Sequence, residues 1–279
     1  MRVWLDGALV AADAARIAPG DRGLTLGDGL FETMLAVDGR VAHLEAHLRR
    51  LRAGAALLRL ALPPLDWPAV LAATLEANGL TRAALRLTVT RGVAARGLLP
   101  PTPPPAPTVL VTAAAAPPDP GPARCVVATI TRRNEHSPLS GVKSLNALDN
   151  ILAKLEAADR GADDALLRNT AGRIAESSLA NVFAVTGGIV HTPPLAEGAL
   201  PGTLRGAVMA RCRVRETPLA VADLARADEI FLTNSLGIRP VVSLDGRGFA
   251  PGPVAASLAA LAEGEDPWAA RRADSGNRL

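Results

Sequence analysis

The chain has 279 residues and a formal net charge of +3, and 49% of its residues are hydrophobic although only 3% are aromatic. Tyrosine is absent, so mechanisms that need a phenol side chain are excluded. The basic residues are scattered and form no aromatic-interleaved patch, which argues against a nucleic acid partner. The length suits one large domain or two modest ones, with a core built mainly from alanine, leucine and valine.

The cysteines and the N-terminus indicate where the protein works. Cys125 and Cys212 form neither a metal-ligand spacing nor a disulfide framework, as expected in a reducing cytoplasm. The first residues are typical of a strand and a turn and not of a signal peptide. No apolar run is long enough to cross a bilayer once proline, glycine and charges are counted. We therefore predict a soluble cytoplasmic protein with no metal site and no membrane partner.

Hydrophobic spacing predicts a mixture of strands and helices in the first part of the chain. Residues 3–5 are expected to form a strand that enters a hairpin at Asp6-Gly7. Apolar residues recur at helical spacing over 43–61 and 67–78. Alternation predicts strands at 84–90 and 108–112.

A proline-rich zone separates the two parts of the chain. Residues 99–122 hold 10 of the 23 prolines, and we interpret them as two rigid loops around one strand. The second loop, 116–122, is the predicted interdomain linker. It would join a small N-terminal domain, 1–115, to a large C-terminal domain, 123–279, that ends in a charged, frayed tail from about 265.

The second part again alternates strands and helices, which predicts an α+β fold with a cleft between two domains, where small-molecule sites tend to form. The predicted strands are 124–131, 164–168, 181–185, 189–192, 229–233 and 238–244. The predicted helices are 145–160, 202–212 and 252–263.

The use of lysine is the most informative chemical feature. Of the 30 lysine and arginine residues only two, Lys143 and Lys154, are lysines. Arginine stays protonated, whereas a desolvated lysine becomes a neutral nucleophile. Lys143 lies in a loop-like stretch that runs into a helix and is the candidate for covalent chemistry. Lys154 lies inside that helix and is interpreted as a solvated residue.

Three further features are candidates for a binding site. Glu176 lies among small and apolar residues just before a strand, where an unpaired carboxylate is costly; an acid facing water at a strand edge is the alternative. Residues 198–206 form a glycine-containing loop that opens a helix, and such a helix start binds anions. Arg50 is a candidate phosphate ligand, although a solvated helix face would also explain it.

Together these residues resemble the fold-type IV family of pyridoxal 5'-phosphate (PLP) enzymes, which includes branched-chain and D-amino-acid transaminases and aminodeoxychorismate lyases. The resemblance covers nearly the whole chain and is carried by Asp21-Arg22-Gly23, Gly-Asp-Gly-Leu-Phe-Glu-Thr (27–33), 91–97, 140–146, 176–183, Gly202-Thr203 and Thr233-Asn234-Ser235. It implies a small N-terminal α/β domain, a larger β-rich α/β domain, a site between them and a homodimer.

The resemblance also implies roles for individual residues. Lys143 would form the Schiff base and move the proton, and Glu176 would bond the pyridine nitrogen so that the ring acts as an electron sink. The phosphate ligands would be Arg50, Gly202, Thr203 and Asn234. Asn234 departs from the threonine that is common in transaminases, so its contact would come from the backbone. The substrate would meet Arg96, Phe31 and Ser235.

Several differences favour a lyase over a transaminase. Phe31 stands where D-amino-acid transaminases tend to carry a tyrosine, and branched-chain enzymes use phenols that this chain lacks. The segment from Thr233 to Ser235 resembles the lyases, although the distance from Asn234 to Pro240 matches the transaminases. Arg96 resembles a carboxylate-binding arginine of both subgroups.

We therefore predict a 4-amino-4-deoxychorismate lyase that yields 4-aminobenzoate and pyruvate in folate biosynthesis. A D-amino-acid transaminase is the alternative, and a branched-chain transaminase is less favoured. The transaminases often carry a histidine at the position of Leu98, and its absence here agrees with the lyase prediction.

Overall fold

The computed structural model describes residues 1–264 as two β-sheets with helices packed against them, which confirms the predicted α+β class. The first sheet is antiparallel and has the strand order β2-β1-β6-β5-β3-β4. Its strands are β1 (Arg2–Leu5), β2 (Ala8–Ala11), β3 (Gly29–Val37), β4 (Arg40–Val41), β5 (Arg82–Thr90) and β6 (Val109–Ala115). Its helices are α1 (Arg22–Leu26), α2 (Leu44–Leu58) and α3 (Trp67–Glu76).

One face of the first sheet forms an apolar core with α2 and α3. Met34, Leu85 and Leu87 are fully buried there together with Leu51 of α2 and Leu71 of α3. Each buried leucine contributes roughly 2 kcal/mol from the removal of apolar surface from water. This core holds β3 and β5 in a fixed position under the helices.

The other face of β3 and β5 carries a different set of side chains, because successive side chains of a strand point to opposite sides. Phe31 lies opposite Thr88, and Thr33 lies opposite Arg86, in the antiparallel register. Phe31, Thr33 and Thr88 are half-buried and Arg86 is exposed. We call these four residues the cleft face.

The second sheet has the order β12-β11-β10-β13-β14-β7-β8-β9, with β15 paired to β14. Its strands are β7 (Ala123–Val127), β8 (Asp164–Arg168), β9 (Ile174–Ser177), β10 (Asn181–Thr186), β11 (Ile189–Thr192), β12 (Val214–Glu216), β13 (Glu229–Asn234), β14 (Gly237–Leu244) and β15 (Arg247–Gly248). Its helices are α4 (Leu148–Asp159), α5 (Thr203–Arg211), α6 (Val221–Ala225) and α7 (Pro253–Leu258).

One apolar cluster on the second sheet is organised around two of the chain's four phenylalanines. Phe183 on β10 and Phe231 on β13 stack in parallel with their ring centroids 5.0 Å apart. Both are fully buried and belong to one cluster with Leu204 and Val208 of α5. The stacked rings therefore fix the position of α5 on the sheet.

Three predicted elements have different bounds in the structure. The strand predicted over 124–131 ends at Val127, because the Thr129 and Ile130 N–H groups donate to the Glu156 carboxylate instead of a neighbouring strand. The helix predicted over 145–160 begins at Leu148, because residues 144 and 145 pair with β3. The helix predicted over 252–263 becomes a 3₁₀ turn after Leu258.

The sequence patterns predict neither β3 nor β9, although both strands border the cleft. The inward-facing residues of β3 include Glu32, a buried carboxylate that interrupts the apolar alternation. All four residues of β9 are buried, and two of them are polar. Strands with buried polar side chains do not have the period-two pattern that identifies strands.

The last strand of the first sheet ends at Ala115 and the first strand of the second sheet begins at Ala123, so residues 116–122 join the two sheets. In this segment the Gly121 carbonyl accepts a hydrogen bond of 2.6 Å from Arg239. We propose on this topology that 1–115 and the chain from 123 onward are separate domains. They touch near the end of the described chain, where His43 Nε2 lies 2.6 Å from the Leu261 carbonyl. The predicted frayed tail from 265 lies outside the described residues.

Across residues 1–264, none of the helices combines the length and the apolar character needed to cross a bilayer.

Candidate functional site

Lys143 lies in an extended segment that pairs with β3. The Phe31 N–H donates to the Lys143 carbonyl at 3.0 Å, and the Leu145 N–H donates to the Gly29 carbonyl at 3.0 Å. These two bonds flank Ser144, the residue after the lysine, and attach the segment to the small sheet. The Lys143 ammonium lies 4.4 Å from the centre of the Phe31 ring, beside the cleft face.

The environment of Lys143 favours the neutral amine. Burial, followed by the positive charge of Arg50, lowers the pKa of this lysine from 10.5 to about 8. The carboxylates of Glu32 and Glu176 oppose this shift. A lysine in this environment is a better nucleophile and base near neutral pH than a lysine in water.

Lys154 has a different position from the solvated one that the sequence predicts. It is half-buried on α4, and its ammonium donates to the main-chain carbonyl of Asp163. This bond ties α4 to the start of β8. Lys154 therefore has a structural contact and lies on a different segment from the cleft lysine.

Glu176 is a buried carboxylate on β9 and does not face water. It is 5% exposed, its Oε2 accepts the Leu200 N–H at 2.9 Å, and its Oε1 lies 3.1 Å from Arg133 Nε. Burial raises the pKa of the Glu176 carboxyl, while Arg133, the Leu200 N–H and Lys143 act to lower it. A second positive partner in the cleft would therefore stabilise the ionised form.

Arg50 and the start of α5 approach each other across the two domains. Arg50 Nη1 donates to the Pro201 carbonyl at 3.1 Å, and Gly202 is the N-cap of α5 without a side-chain cap. A Cβ at Gly202 would lie 2.0 Å from Asn181 Oδ1, so the buried side chain of Asn181 occupies the space that a larger residue would need. The first N–H groups of α5 have no intrahelical acceptor and can bind an anion.

A cavity of about 770 Å³ runs along this contact and is lined by Arg50, Gly202 and Thr203. The residues that line it do not include Lys143, Glu176, Thr233, Asn234 or Ser235. Asn234 is exposed at the end of β13, and its Oδ1 accepts the Leu236 N–H at 2.9 Å. The structure thus brings together three of the four predicted phosphate ligands, and it leaves Asn234 in a turn of its own.

Thr233 is a neighbouring residue that sequence reasoning did not select for the cofactor. Its side chain is buried, and its hydroxyl oxygen has no hydrogen-bond partner among the described residues. Buried hydroxyl groups almost always have a partner. Thr233 lies on the same strand as Phe231, which packs against α5.

The residues present fit PLP. A lysine of lowered pKa suits the aldehyde, and the buried carboxylate of Glu176 suits a protonated pyridine nitrogen. The glycine-capped start of α5, Arg50 and the unpaired Thr233 hydroxyl suit a phosphate. When bound, PLP supplies an electron-withdrawing ring that lowers the energy of a proton loss beside the substrate nitrogen.

Arg86 is a further residue of the cleft that the sequence analysis missed. Its guanidinium lies 3.8 Å from the centre of the Phe31 ring, the same ring that the Lys143 ammonium faces. On β5 it is the charged residue in the stretch from Leu85 to Thr90, whose other members are apolar or threonine. That isolated charge was the available signal for a functional arginine.

Arg96, the predicted carboxylate ligand, lies on an exposed loop after β5. Arg22 holds this loop by donating to the carbonyls of Gly97 at 2.7 Å and Leu98 at 2.8 Å, and Arg22 is itself paired with Asp28. Among residues 1–264, none forms a hydrogen bond or an ion pair with the Arg96 side chain. Arg96 is thus not brought to Lys143 within the described chain.

Comparison with known proteins gives a family match and relatives of three kinds. Residues 29–244 match the family model described as amino-transferase class IV. A putative branched-chain-amino-acid aminotransferase of Methanocaldococcus jannaschii is 36% identical over 88% of this chain and 89% of its own. A D-alanine aminotransferase of Staphylococcus epidermidis is 26% identical over 96% and 97%. The solved 4-amino-4-deoxychorismate lyase of Pseudomonas aeruginosa is 33% identical over 92% and 96%, with a TM-score of 0.79.

The lowered pKa of Lys143 predicts how the rate of covalent cofactor capture by the apoprotein depends on pH. Only the neutral amine attacks an aldehyde, so the rate of covalent capture should rise with pH through a midpoint near 8. Stopped-flow mixing of apoprotein with PLP measures this rate from the visible absorbance of the bound cofactor. Lys143→Arg should abolish capture and Lys154→Arg should not. A midpoint near the ordinary 10.5, or capture that survives in Lys143→Arg, would contradict the assignment.

Proposed function

Because the chain belongs to the class IV aminotransferase family and is therefore a PLP-dependent enzyme, we propose that it is a 4-amino-4-deoxychorismate lyase. The match also confirms the predicted fold-type IV architecture. The observation that carries the proposal is the cleft face, where Thr33, Arg86 and Thr88 surround Phe31. These groups suit a polar substrate with carboxylates. The 33% identity to a solved lyase supports the same choice.

We propose the following roles for the site residues. Lys143 binds the cofactor aldehyde and holds the proton that is removed from the substrate. Glu176 faces the pyridine nitrogen. Arg50 and the N–H groups at Gly202 and Thr203 bind the phosphate.

The other residues predicted for the site are Asn234, Phe31, Arg96 and Ser235. Asn234 would contribute to the phosphate site through its backbone or amide N–H groups, because its Oδ1 is held by Leu236. Phe31 borders the substrate beside Lys143. Arg96 and Ser235 stay proposed substrate ligands, and Arg96 has to reach a substrate from an exposed loop.

The proposed reaction needs one base and no second substrate. Lys143 takes the proton from the amine-bearing ring carbon, and the bond between the ring and the enolpyruvyl oxygen breaks. The ring becomes aromatic 4-aminobenzoate, and the enolpyruvyl group takes up one proton and leaves as pyruvate. Aromatisation supplies the driving force, so the site needs no phenolic acid, in agreement with a chain that lacks tyrosine.

An aminotransferase is the second candidate. The 36% identity to a putative branched-chain enzyme favours it, as does the distance from Asn234 to Pro240. The cleft face argues against a branched-chain substrate, since three of its four residues are polar and only Phe31 gives an aliphatic side chain an apolar contact. A D-amino acid would satisfy Arg86 with its carboxylate, so the cleft face is also compatible with a D-amino-acid transaminase.

We also propose that two copies of the chain form a homodimer in the cytoplasm. One face of α4 exposes Leu148, Ile151, Leu152 and Leu155, which are 40% to 75% exposed. These positions lie on one side of a helix, and such an exposed apolar stripe is typical of a protein interface. The occupant that we propose is the same stripe of a second copy. Both cysteines are free thiols, as suits a reducing compartment.

The reaction is tested by supplying the purified holoenzyme with 4-amino-4-deoxychorismate and no keto acid. We expect 4-aminobenzoate and pyruvate in equal amounts. Glu176→Gln should slow this reaction by about 100-fold or more, because the amide cannot stabilise a protonated ring nitrogen. Glu197→Gln is the matched control, since Glu197 is equally buried but pairs with Arg173. Amino-group exchange between D-alanine and 2-oxoglutarate, without lyase products, would show that the aminotransferase proposal is correct.

The role of the cleft arginine is tested with Arg86→Met. Loss of a charged hydrogen-bond donor to a carboxylate should raise KM by about tenfold or more, with a smaller change in kcat. Arg82→Met is the control, because Arg82 lies on the same strand but pairs with Glu263. If KM rises in Arg96→Met and not in Arg86→Met, the substrate carboxylate is bound by the loop and not by the cleft face.

The homodimer is tested by the mass of the native protein, which should be twice the 28.7 kDa of the chain. The double variant Leu148→Glu with Leu155→Glu should sediment as a monomer, since charges in an apolar interface cost several kcal/mol each. Ile17→Glu replaces an exposed apolar residue outside α4 and should leave the mass unchanged. A wild-type monomer, or a dimer that survives the double substitution, would contradict the proposed interface.

A further inference from the structure

Glu32 is a buried carboxylate that the proposed chemistry does not use. It lies on β3, is 1% exposed, and points away from the cleft face toward α2. Its Oε1 accepts Arg50 Nε at 2.8 Å, and its Oε2 accepts Arg50 Nη2 at 2.5 Å and faces His47 Nδ1 at 2.6 Å. Burial by itself would raise the pKa of Glu32, but Arg50 and His47 outweigh it and hold the pKa below its usual value. The carboxylate is therefore ionised and receives three hydrogen bonds.

The contacts of Arg50 determine which of its donors remain for a phosphate. A guanidinium has five N–H groups in a planar fork. Glu32 takes Nε and one hydrogen of Nη2, and the Pro201 carbonyl takes one hydrogen of Nη1. One hydrogen on Nη1 and one on Nη2 remain without a hydrogen-bond partner among the described residues. Guanidinium hydrogens of this kind form charge-assisted hydrogen bonds with phosphate oxygens.

His47 extends this contact to the other domain. Burial lowers the pKa of His47, and Glu32 opposes the shift only in part, so the imidazole is neutral. Its Nδ1–H donates to Glu32, which leaves Nε2 as an acceptor; the tautomer follows from these partners. Thr203 Oγ1 lies 3.4 Å from Nε2. A chain of contacts thus runs from Arg50 through Glu32 and His47 to the first residue of α5.

We propose that Glu32 is a positioning residue that orients Arg50 for the cofactor phosphate and, through His47 and Thr203, aligns Arg50 with the start of α5. The inference rests on the proposed assignment of the phosphate to Arg50 and α5. Glu32 itself does not touch the cofactor. Its function is to keep the two parts of the phosphate site, Arg50 from one domain and the start of α5 from the other, in a fixed relative position.

The direction in which removal of the Glu32 carboxylate changes phosphate binding distinguishes this role from a simple effect of charge. Glu32 is negative and lies against Arg50, so on charge alone its removal should strengthen the binding of a phosphate dianion. If Glu32 acts by orienting Arg50, its removal should weaken phosphate binding, because the guanidinium is then no longer held in one orientation. The two accounts predict changes in opposite directions.

The experiment compares Glu32→Gln with wild type in the binding of PLP and of pyridoxal, which lacks the phosphate. We expect the dissociation constant of PLP to rise by about tenfold or more, while that of pyridoxal changes by less than about threefold. The ³¹P resonance of bound PLP should broaden or shift as the phosphate loses its fixed ligands. Glu45→Gln is the matched control, because Glu45 lies on α2 and pairs with an exposed arginine, Arg52.

Two further variants separate the possible failures. Arg50→Ala should weaken PLP but not pyridoxal; if it weakens neither, the phosphate assignment itself is wrong. If Arg50→Ala weakens PLP but Glu32→Gln strengthens it or leaves it unchanged, only the positioning role is wrong. Equal losses for PLP and pyridoxal would mean that Glu32 is merely structural.

His47 provides an independent test if Glu32→Gln fails to fold. His47→Asn retains a short side-chain N–H that can donate to Glu32, whereas His47→Leu removes both polar contacts. We expect His47→Leu to weaken PLP binding relative to pyridoxal and His47→Asn to restore most of that loss. Equal PLP affinity in the two variants would overturn the proposed chain of contacts.

Discussion

The main-chain pairing between β3 and the segment around Lys143 is the constraint on which the site depends. It attaches a segment of the large domain to β3 of the small sheet by two hydrogen bonds. The same strand carries Phe31 on the cleft face and Glu32 on the opposite face. Because strand residues alternate, one short segment positions the lysine, the ring beside it and the carboxylate behind it. Gly29 allows this close approach, since a Cβ there would lie 2.8 Å from Leu145 Cδ1 of that segment and 2.6 Å from the Val89 carbonyl oxygen of β5.

Buried charge in this cleft is arranged in pairs, with Lys143 as the exception. Arg50 is balanced by Glu32, and Arg133 by Glu176. A buried ion pair is retained more for the geometry it imposes than for the stability it adds. Lys143 has no ion pair among the described residues, and burial, together with the charge of Arg50, lowers its pKa. The pairing thus keeps the arginines as fixed ligands and leaves the lysine reactive.

Part of this architecture could be predicted from the sequence. The helices α2 and α5 and the strands β5 and β10 have ordinary apolar periodicity, and their predicted bounds agree with the structure to within a few residues. The two lysines were recognisable because the composition is otherwise arginine. β3 and β9 were not predicted, because both carry buried carboxylates that remove the apolar pattern. Arg86, Glu32 and Arg133 were missed for a related reason, since each has partners from distant segments.

The sequence by itself therefore determined the chemical groups of the candidate site: one lysine in a loop before a helix, an acid among apolar residues, and a glycine at a helix start. The family and its cofactor follow from those groups and their order. Only the tertiary structure decided which arginine lies in the cleft, Arg86 or Arg96, and which carboxylate holds Arg50. These questions depend on contacts between residues far apart in the chain, such as Arg50 with Pro201, and local periodicity carries no information about such contacts.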